Sequence, residues 1–253
     1  MKRNKYIDDG SEIHADYDPV HSVSKIKKHV YCMFNDDANS TISIVYLSDD
    51  LRYKILVDDI TADPIVSNEG SYIWAVSDNT IYRIDMTGKD PKIKSRDVSG
   101  LTYYDFYNSY PFSLPIALSE NGKNAYCIGD LLYHDDSYTL SGTLYYVNME
   151  SHSVSAVDND VIRCISNEQD TVYYLNNDSP VSRTGTLYSF SKKKGMKQIS
   201  SDVNNMILIG KDLFLLKPAK SEESNNKYDL YKLKDGLFRP VVEGIDFGWY
   251  CKN

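Results

Sequence analysis

The sequence has few of the residues that small disulfide-stabilised or metal-bound domains rely on. Its 253 residues include 4 cysteines and 5 histidines, and no two cysteines form a Cys-x-x-Cys pair. Each cysteine lies in an apolar, strand-like run, so we expect buried free thiols rather than disulfides or a zinc site. These residues are Cys32, Cys127, Cys164 and Cys251. No metal site and no cofactor are predicted.

Long hydrophobic runs and an excess of positive charge are also missing. No stretch approaches the roughly 18 consecutive apolar residues of a membrane helix, so we expect no membrane insertion by this segment. A net charge of −8 opposes binding to phosphate backbones, which argues against nucleic acid as a partner. No Gly-x-Ser-x-Gly, His-Glu-x-x-His or phosphate-binding glycine loop occurs, so no catalytic residue is nominated.

The sequence is rich in tyrosine, with 22 Tyr against 7 Phe and 2 Trp. Much of it belongs to a degenerate repeat of about 40 residues. Six strand-like copies carry Tyr6, Tyr46, Tyr82, Tyr145, Tyr188 and Tyr231. Each is followed by a polar turn ending in an aliphatic residue, as in Asn159-Asp160-Val161. Five copies are preceded by another alternating run, so each unit predicts four short antiparallel strands.

A four-stranded sheet of this size cannot bury both faces by itself, so successive units must stack around an axis. We therefore predict an all-β fold, a single six-bladed β-propeller domain over 1–253 with blade closure between the N- and C-terminal strands. The predicted blades are approximately 21–60, 61–98, 99–161, 162–203 and 204–245, and the closing blade is 246–253 plus 1–20.

Three recurring motifs support a family resemblance. They are the Ser-x-x-Gly turn at Ser67 and Ser119, the Gly-Thr-Leu-Tyr strand at Gly142 and Gly185, and the Asp-Val blade ending. Together they resemble bacterial six-bladed β-propeller domains of unknown function related to the low-density-lipoprotein-receptor type, over nearly the whole chain. The resemblance implies the outer part of a surface-anchored or secreted protein without assigned catalysis. The receptors' Tyr-Trp-Thr-Asp signature is missing, so receptor-type ligands are not carried over.

The longest departure from the repeat lies between Val98 and Tyr126. This insertion contains six aromatic residues, Tyr103, Tyr104, Phe106, Tyr107, Tyr110 and Phe112. Exposed rings beside Asn and Ser suit stacking on sugars or gripping a peptide, so we predict a ligand-binding loop. The alternative is that these rings fold down as a plug over one face of the propeller.

The central channel is the second candidate site, because propeller enzymes usually place metal ligands or acids at the starts of their inner strands. The corresponding residues are His21, Asp63, Arg163, Asn205 and Asp246. A carboxylate pair and a histidine could in principle coordinate calcium or share a proton. They form no local constellation, whereas a calcium site needs six or more oxygen ligands.

We therefore predict a non-catalytic binding or interaction propeller with a protein or glycan ligand. We expect a monomer, in an extracellular or cell-surface location, although a cytoplasmic one stays open. The alternative function is an enzyme that uses the central channel, such as a metal-dependent lactonase or a carbohydrate-active hydrolase or lyase. A third hypothesis is that the domain is an interaction spacer within a larger surface protein.

Overall fold

The computed structural model of the chain describes residues 7–8, 11–12, 20–26, 29–36, 41–47, 52–60, 64–67, 70–101, 116–118, 124–134, 139–166, 170–176, 184–219, 227–234 and 236–246. All regular secondary structure in these ranges is β-strand, so the predicted all-β class is confirmed for them. No helix with the length and hydrophobicity of a membrane span occurs there. The chain separates into two compact units, Met1–Leu114 and Pro115–Asn253.

The first unit consists of antiparallel strands that pair in chain order. Its described strands are β1 (Ile7–Asp8), β2 (Ser11–Glu12), β3 (Val20–Ile26), β4 (His29–Asp36), β5 (Thr41–Leu47), β6 (Tyr53–Ile60), β7 (Ile65–Val66), β8 (Tyr72–Ser77), β9 (Thr80–Asp85) and β10 (Lys92–Asp97). β1 pairs with β2, while β3 to β6 and β7 to β10 each form a four-stranded sheet. Each such sheet is a meander, in which neighbours in sequence are neighbours in space.

The second unit repeats this meander. Its described strands are β11 (Ile116–Leu118), β12 (Asn124–His134), β13 (Thr139–Asn148), β14 (Ser153–Ser166), β15 (Val172–Asn176), β16 (Gly185–Ser191), β17 (Gly195–Val203), β18 (Asn205–Ile209), β19 (Asp212–Pro218), β20 (Lys227–Lys234) and β21 (Leu237–Asp246). The 14-residue β14 pairs first with β13 and then with β15. It is thus the fourth strand of one meander and the first strand of the next. The last meander is β18 to β21.

Apolar packing between successive meanders forms the cores of both units. In the first unit, Ile44 of β5 and Ile73 and Ile84 of the next sheet belong to one buried cluster. In the second unit, Leu187 of β16 packs with Leu215 of β19. Full burial of a side chain of this size contributes about 1.5 to 3 kcal/mol, so sheet-to-sheet contact stabilises the fold more than any single hydrogen bond does.

The acidic turn that ends each repeat has a backbone explanation. Asp59, Asp160 and Asp202 have φ of 50°, 56° and 55°, and Gly244 has a φ of 69° at the same place in the last meander. In these four of the five described meanders the pairing of the third and fourth strands shifts register around this point, whereas β9 and β10 pair without a shift. Glycine, asparagine and aspartate adopt the left-handed region more readily than other residues. The following aliphatic residue then enters the core, where Val161 and Val203 are fully buried.

The glycine of the Gly-Thr-Leu-Tyr motif has a steric explanation. A Cβ atom built on Gly185 would lie 2.3 Å from the backbone oxygen of Asn176 on the neighbouring strand. Backbone cannot move aside as a flexible side chain can, so only glycine fits this approach of β15 and β16.

We expect Gly185→Ala to lower the free energy of unfolding by about 2 kcal/mol or more, because the methyl group must push two paired strands apart. Gly88→Ala is the comparison, since its Cβ would lie 3.3 Å from the backbone oxygen of Asp90, a tight contact that a small shift relieves, and we expect a loss of about 1 kcal/mol or less. Urea unfolding of both variants measures the difference. Equal effects would contradict the steric explanation.

Two of the four cysteines are described with their side chains, and both are buried thiols outside any disulfide, as predicted. Cys127 on β12 is fully buried and Cys164 on β14 is 7% exposed. Burial raises the pKa of the Cys164 thiol to about 12 and that of Cys127 well above its usual range. Cys251 and the side chain of Cys32 lie outside the described residues.

In a C32S/C251S background, we expect neither remaining thiol to react with Ellman's reagent in the native protein at pH 7. Both should react once the protein is unfolded in guanidinium, because the reactive species is the thiolate and the native site excludes both charge and reagent. Rapid reaction of the folded protein would show that these thiols are accessible.

Candidate functional site

The six aromatic residues of the predicted ligand-binding loop lie outside the described residues. These are Tyr103, Tyr104, Phe106, Tyr107, Tyr110 and Phe112. The structure does describe the strands on either side of the insertion, which are β10, ending at Asp97, and β11, starting at Ile116. The insertion therefore belongs to a connection between two meanders, which we call a crossing. A crossing runs from the fourth strand of one meander to the first strand of the next.

The other crossings are short. The one between β6 and β7 spans 61–64, the one between β17 and β18 is Asn204 alone, and β14 passes from one meander to the next without leaving strand conformation. The crossing that carries the aromatic insertion spans 98–115. Because each meander has the same antiparallel order, every crossing enters the first strand of its sheet at the equivalent end.

The structure brings together two of the five residues predicted to line the channel. The guanidinium Nη1 of Arg163 on β14 donates a hydrogen bond to Oδ1 of Asn205, the first residue of β18. The bond joins the first strands of two successive meanders, 42 residues apart in sequence. Asp63 and the side chains of His21 and Asp246 lie outside the described residues.

Arg163 is a partly desolvated charge with a neutral partner. Its side chain is exposed to solvent, yet burial of part of the guanidinium lowers its pKa from the ordinary value, an effect that Cys164 opposes. Across the described residues, its bond is to the Asn205 amide and no carboxylate forms an ion pair with it. A guanidinium in this state gains more from an added negative charge than one fully in water does.

The crossing before Arg163 is held by three polar side chains that the sequence reasoning missed. The Tyr174 hydroxyl donates to Oδ2 of Asp158 at 3.0 Å, and Nδ2 of Asn176 donates to the same oxygen at 3.2 Å. The Asn176 amide also donates to the backbone oxygen of Asn159 at 2.8 Å. Only the Asn-Asp-Val turn at this place was visible in the sequence. The network positions the strand that carries Arg163.

A second polar cluster lies where the same meanders turn at their opposite end. The Tyr126 hydroxyl donates to the backbone oxygen of Asp170 at 3.2 Å. Burial raises the pKa of the Asp170 carboxyl, while Asn124 and Lys193 lower it. The Tyr126 ring is fully buried. The hydrogen bond in this cluster connects β12 to the turn before β15, so we assign the cluster a structural role.

Within the side chains that the structure describes, no three His, Cys, Asp or Glu residues gather in a way that would hold a metal ion.

No protein-family model matches the sequence, and no curated protein does either. Solved structures match. Acylaminoacyl peptidase from Pyrococcus horikoshii is 15% identical with a TM-score of 0.56, over 90% of this chain and 40% of that one. Dipeptidyl peptidase 4 from Porphyromonas gingivalis is 14% identical with a TM-score of 0.54, over 89% and 38%. An uncharacterized Listeria monocytogenes protein is 12% identical with a TM-score of 0.54, over 88% and 64%.

Acylaminoacyl peptidase is one of the matching peptidases that have a propeller domain. The fold is of the β-propeller type. At these identities the likeness shows the fold alone, and the chain spans less than two thirds of the length of each of the three structures. The link to the low-density-lipoprotein-receptor type stays a prediction.

We expect Tyr174→Phe to lower the free energy of unfolding by about 1 kcal/mol at pH 7, through loss of its bond to Asp158. Burial, followed by Asp158, raises the Tyr174 pKa above its ordinary 10.0. The unfolded state therefore loses the phenol proton first, so stability is complete below pH 10 and falls as the pH rises further. Removing Tyr174 should make that fall shallower.

Tyr188→Phe is the control, because its ring stacks on Tyr174 with centroids 5.5 Å apart. Urea unfolding of both variants and of the wild type between pH 7 and about pH 11 gives the comparison. A wild-type slope that Tyr174→Phe leaves unchanged would contradict the assignment.

Proposed function

We propose that this chain is a non-catalytic binding propeller whose ligand, a protein or a glycan, contacts the end of the sheets where the crossings enter. The observation that carries the proposal is the difference between the crossings. Three of them have a few residues or none between the described strands, whereas β10 and β11 are separated by the segment 98–115, which has six aromatic residues. Long loops on a rigid scaffold are where binding residues concentrate.

The chemistry of the insertion suits recognition. Tyrosine and phenylalanine rings supply a large contact area with little loss of side-chain entropy, and the Asn and Ser beside them supply hydrogen bonds. The resemblance of the sequence motifs to bacterial surface propellers supports an extracellular or cell-surface location and a monomeric domain within this proposal.

The six-bladed ring is part of the same proposal, with 246–253 plus 1–20 as its closing blade. One face of the β18–β21 sheet supports it. Ile207 and Ile209 of β18 are 53% and 60% exposed, whereas Met206 and Leu208 on the opposite face pack against the preceding meander. A further blade would cover Ile207 and Ile209 as the preceding meander covers their neighbours.

An enzyme that uses the central channel is the competing function. It would place metal ligands or acids at the starts of the first strands. Arg163 and Asn205 occupy two of these places, and they bind each other. Neither is a carboxylate or a histidine, so these two places offer no general acid or base.

Glycan and peptide arrays probed with the purified chain test the proposal. Among the variants Tyr103→Ala, Tyr107→Ala and Tyr110→Ala, we expect at least one to weaken binding of the ligand found by about tenfold or more, without a change in melting temperature. Met196→Ala is the control, since it removes a side chain that is 47% exposed in a β-strand of another meander. Unchanged affinity in all three tyrosine variants would reject the loop as the site.

A further inference from the structure

We propose that Arg163 and Asn205 form a binding site for a carboxylate group. The inference rests on the proposed binding function and deepens it by naming the chemical group that the ligand presents to the starts of the first strands.

The hydrogen bonds of the Asn205 side chain use its acceptor oxygen and leave its N–H donors. Its Oδ1 accepts from the guanidinium of Arg163 and also from the backbone N–H of Met206 at 2.8 Å. Both lone-pair directions of the oxygen are therefore used, and they fix the orientation of the amide. The remaining group, Nδ2, has two N–H bonds and is purely a donor.

The guanidinium adds further donors next to that amide. Arginine has five N–H bonds in a planar fork, and the bond to Asn205 uses one of the two on Nη1. Because both side chains offer hydrogen-bond donors and no acceptor, they favour a ligand group that has hydrogen-bond acceptors and no donor. An ionised carboxylate is such a group, and its two oxygens match a planar fork bidentately.

The charge of the site also favours a carboxylate ligand. The site has one positive charge, and partial burial of the guanidinium strengthens its attraction to a counter-charge. A carboxylate supplies one negative charge, whereas a phosphate monoester supplies up to about two. The chain as a whole has a net charge of −8, so attraction to an acidic ligand must come from a local site of this kind.

The bond between Arg163 and Asn205 also ties two meanders together, so a stability effect by itself would not show a binding role. Two variants separate the roles. Arg163→Gln removes the charge. Asn205→Asp keeps an oxygen for Arg163 and for the Met206 N–H, so it should keep the fold, but it replaces the donor group by a negative charge that opposes an anion.

The test is a calorimetric or NMR titration of the full chain with D-glucuronate, compared with D-glucose, and with N-acetylglycine, compared with its amide. We expect one of the two acids to bind about tenfold more tightly than its neutral counterpart, and which acid does so distinguishes a sugar carboxylate from a peptide carboxylate. Arg163→Gln and Asn205→Asp should each abolish this preference. Arg239→Gln, which removes an exposed arginine from β21, should leave it unchanged.

Equal binding of acid and neutral probes by the wild type would overturn the inference, and so would an acid preference that Asn205→Asp retains. These outcomes are distinct from a failure of the proposed function. That failure would appear as unchanged array binding in the tyrosine variants, whatever the carboxylate probes do.

Discussion

Burial of apolar surface between successive four-stranded sheets is the interaction on which the rest of this structure depends. In β8, the residues from Ile73 to Ser77 are all buried, so this strand has no solvent face. A sheet built from such strands needs a neighbour on each side. Ile44 with Ile84 in the first unit, and Leu187 with Leu215 in the second, show how neighbouring meanders meet that need. Several connections between sheets are short, and left-handed backbone recurs just before them, at Asp59, Asp160 and Asp202.

Stacking brings polar groups at the strand ends close to the core, where they need partners. The repeated aspartates and tyrosines supply them. Asp160 adopts a left-handed backbone conformation where β14 passes from one meander to the next. Tyr174 and Asn176 form hydrogen bonds with the residues just before it. Tyrosine suits this task because its ring can be buried while its hydroxyl reaches a polar partner, as the fully buried ring of Tyr126 does. Tyr174 divides its side chain in the same way, with a buried ring and a hydroxyl bonded to Asp158.

The candidate site was only partly predictable. The insertion stood out because it interrupts a repeat, and Arg163 and Asn205 were recognisable as residues near the starts of first strands. Their mutual hydrogen bond was not, since it depends on how two meanders are placed and joins residues 42 positions apart. The support from Asp158, Tyr174 and Asn176 was also missed, because each of these residues is ordinary in its own strand and acquires a role only across a strand pair.

The sequence by itself determined the all-β class and the repeating four-strand unit, because alternating apolar runs and turn residues are local properties of a strand and its ends. It also indicated that a polar turn followed by an aliphatic residue would end each unit, because that pattern is local as well. Only the tertiary structure decided which polar side chains meet and which apolar face of β18 is exposed. It also decided which position must be glycine because a neighbouring backbone lies too close for a Cβ atom. Those outcomes depend on distances between segments far apart in sequence, and these distances are set by the packing of one sheet on another.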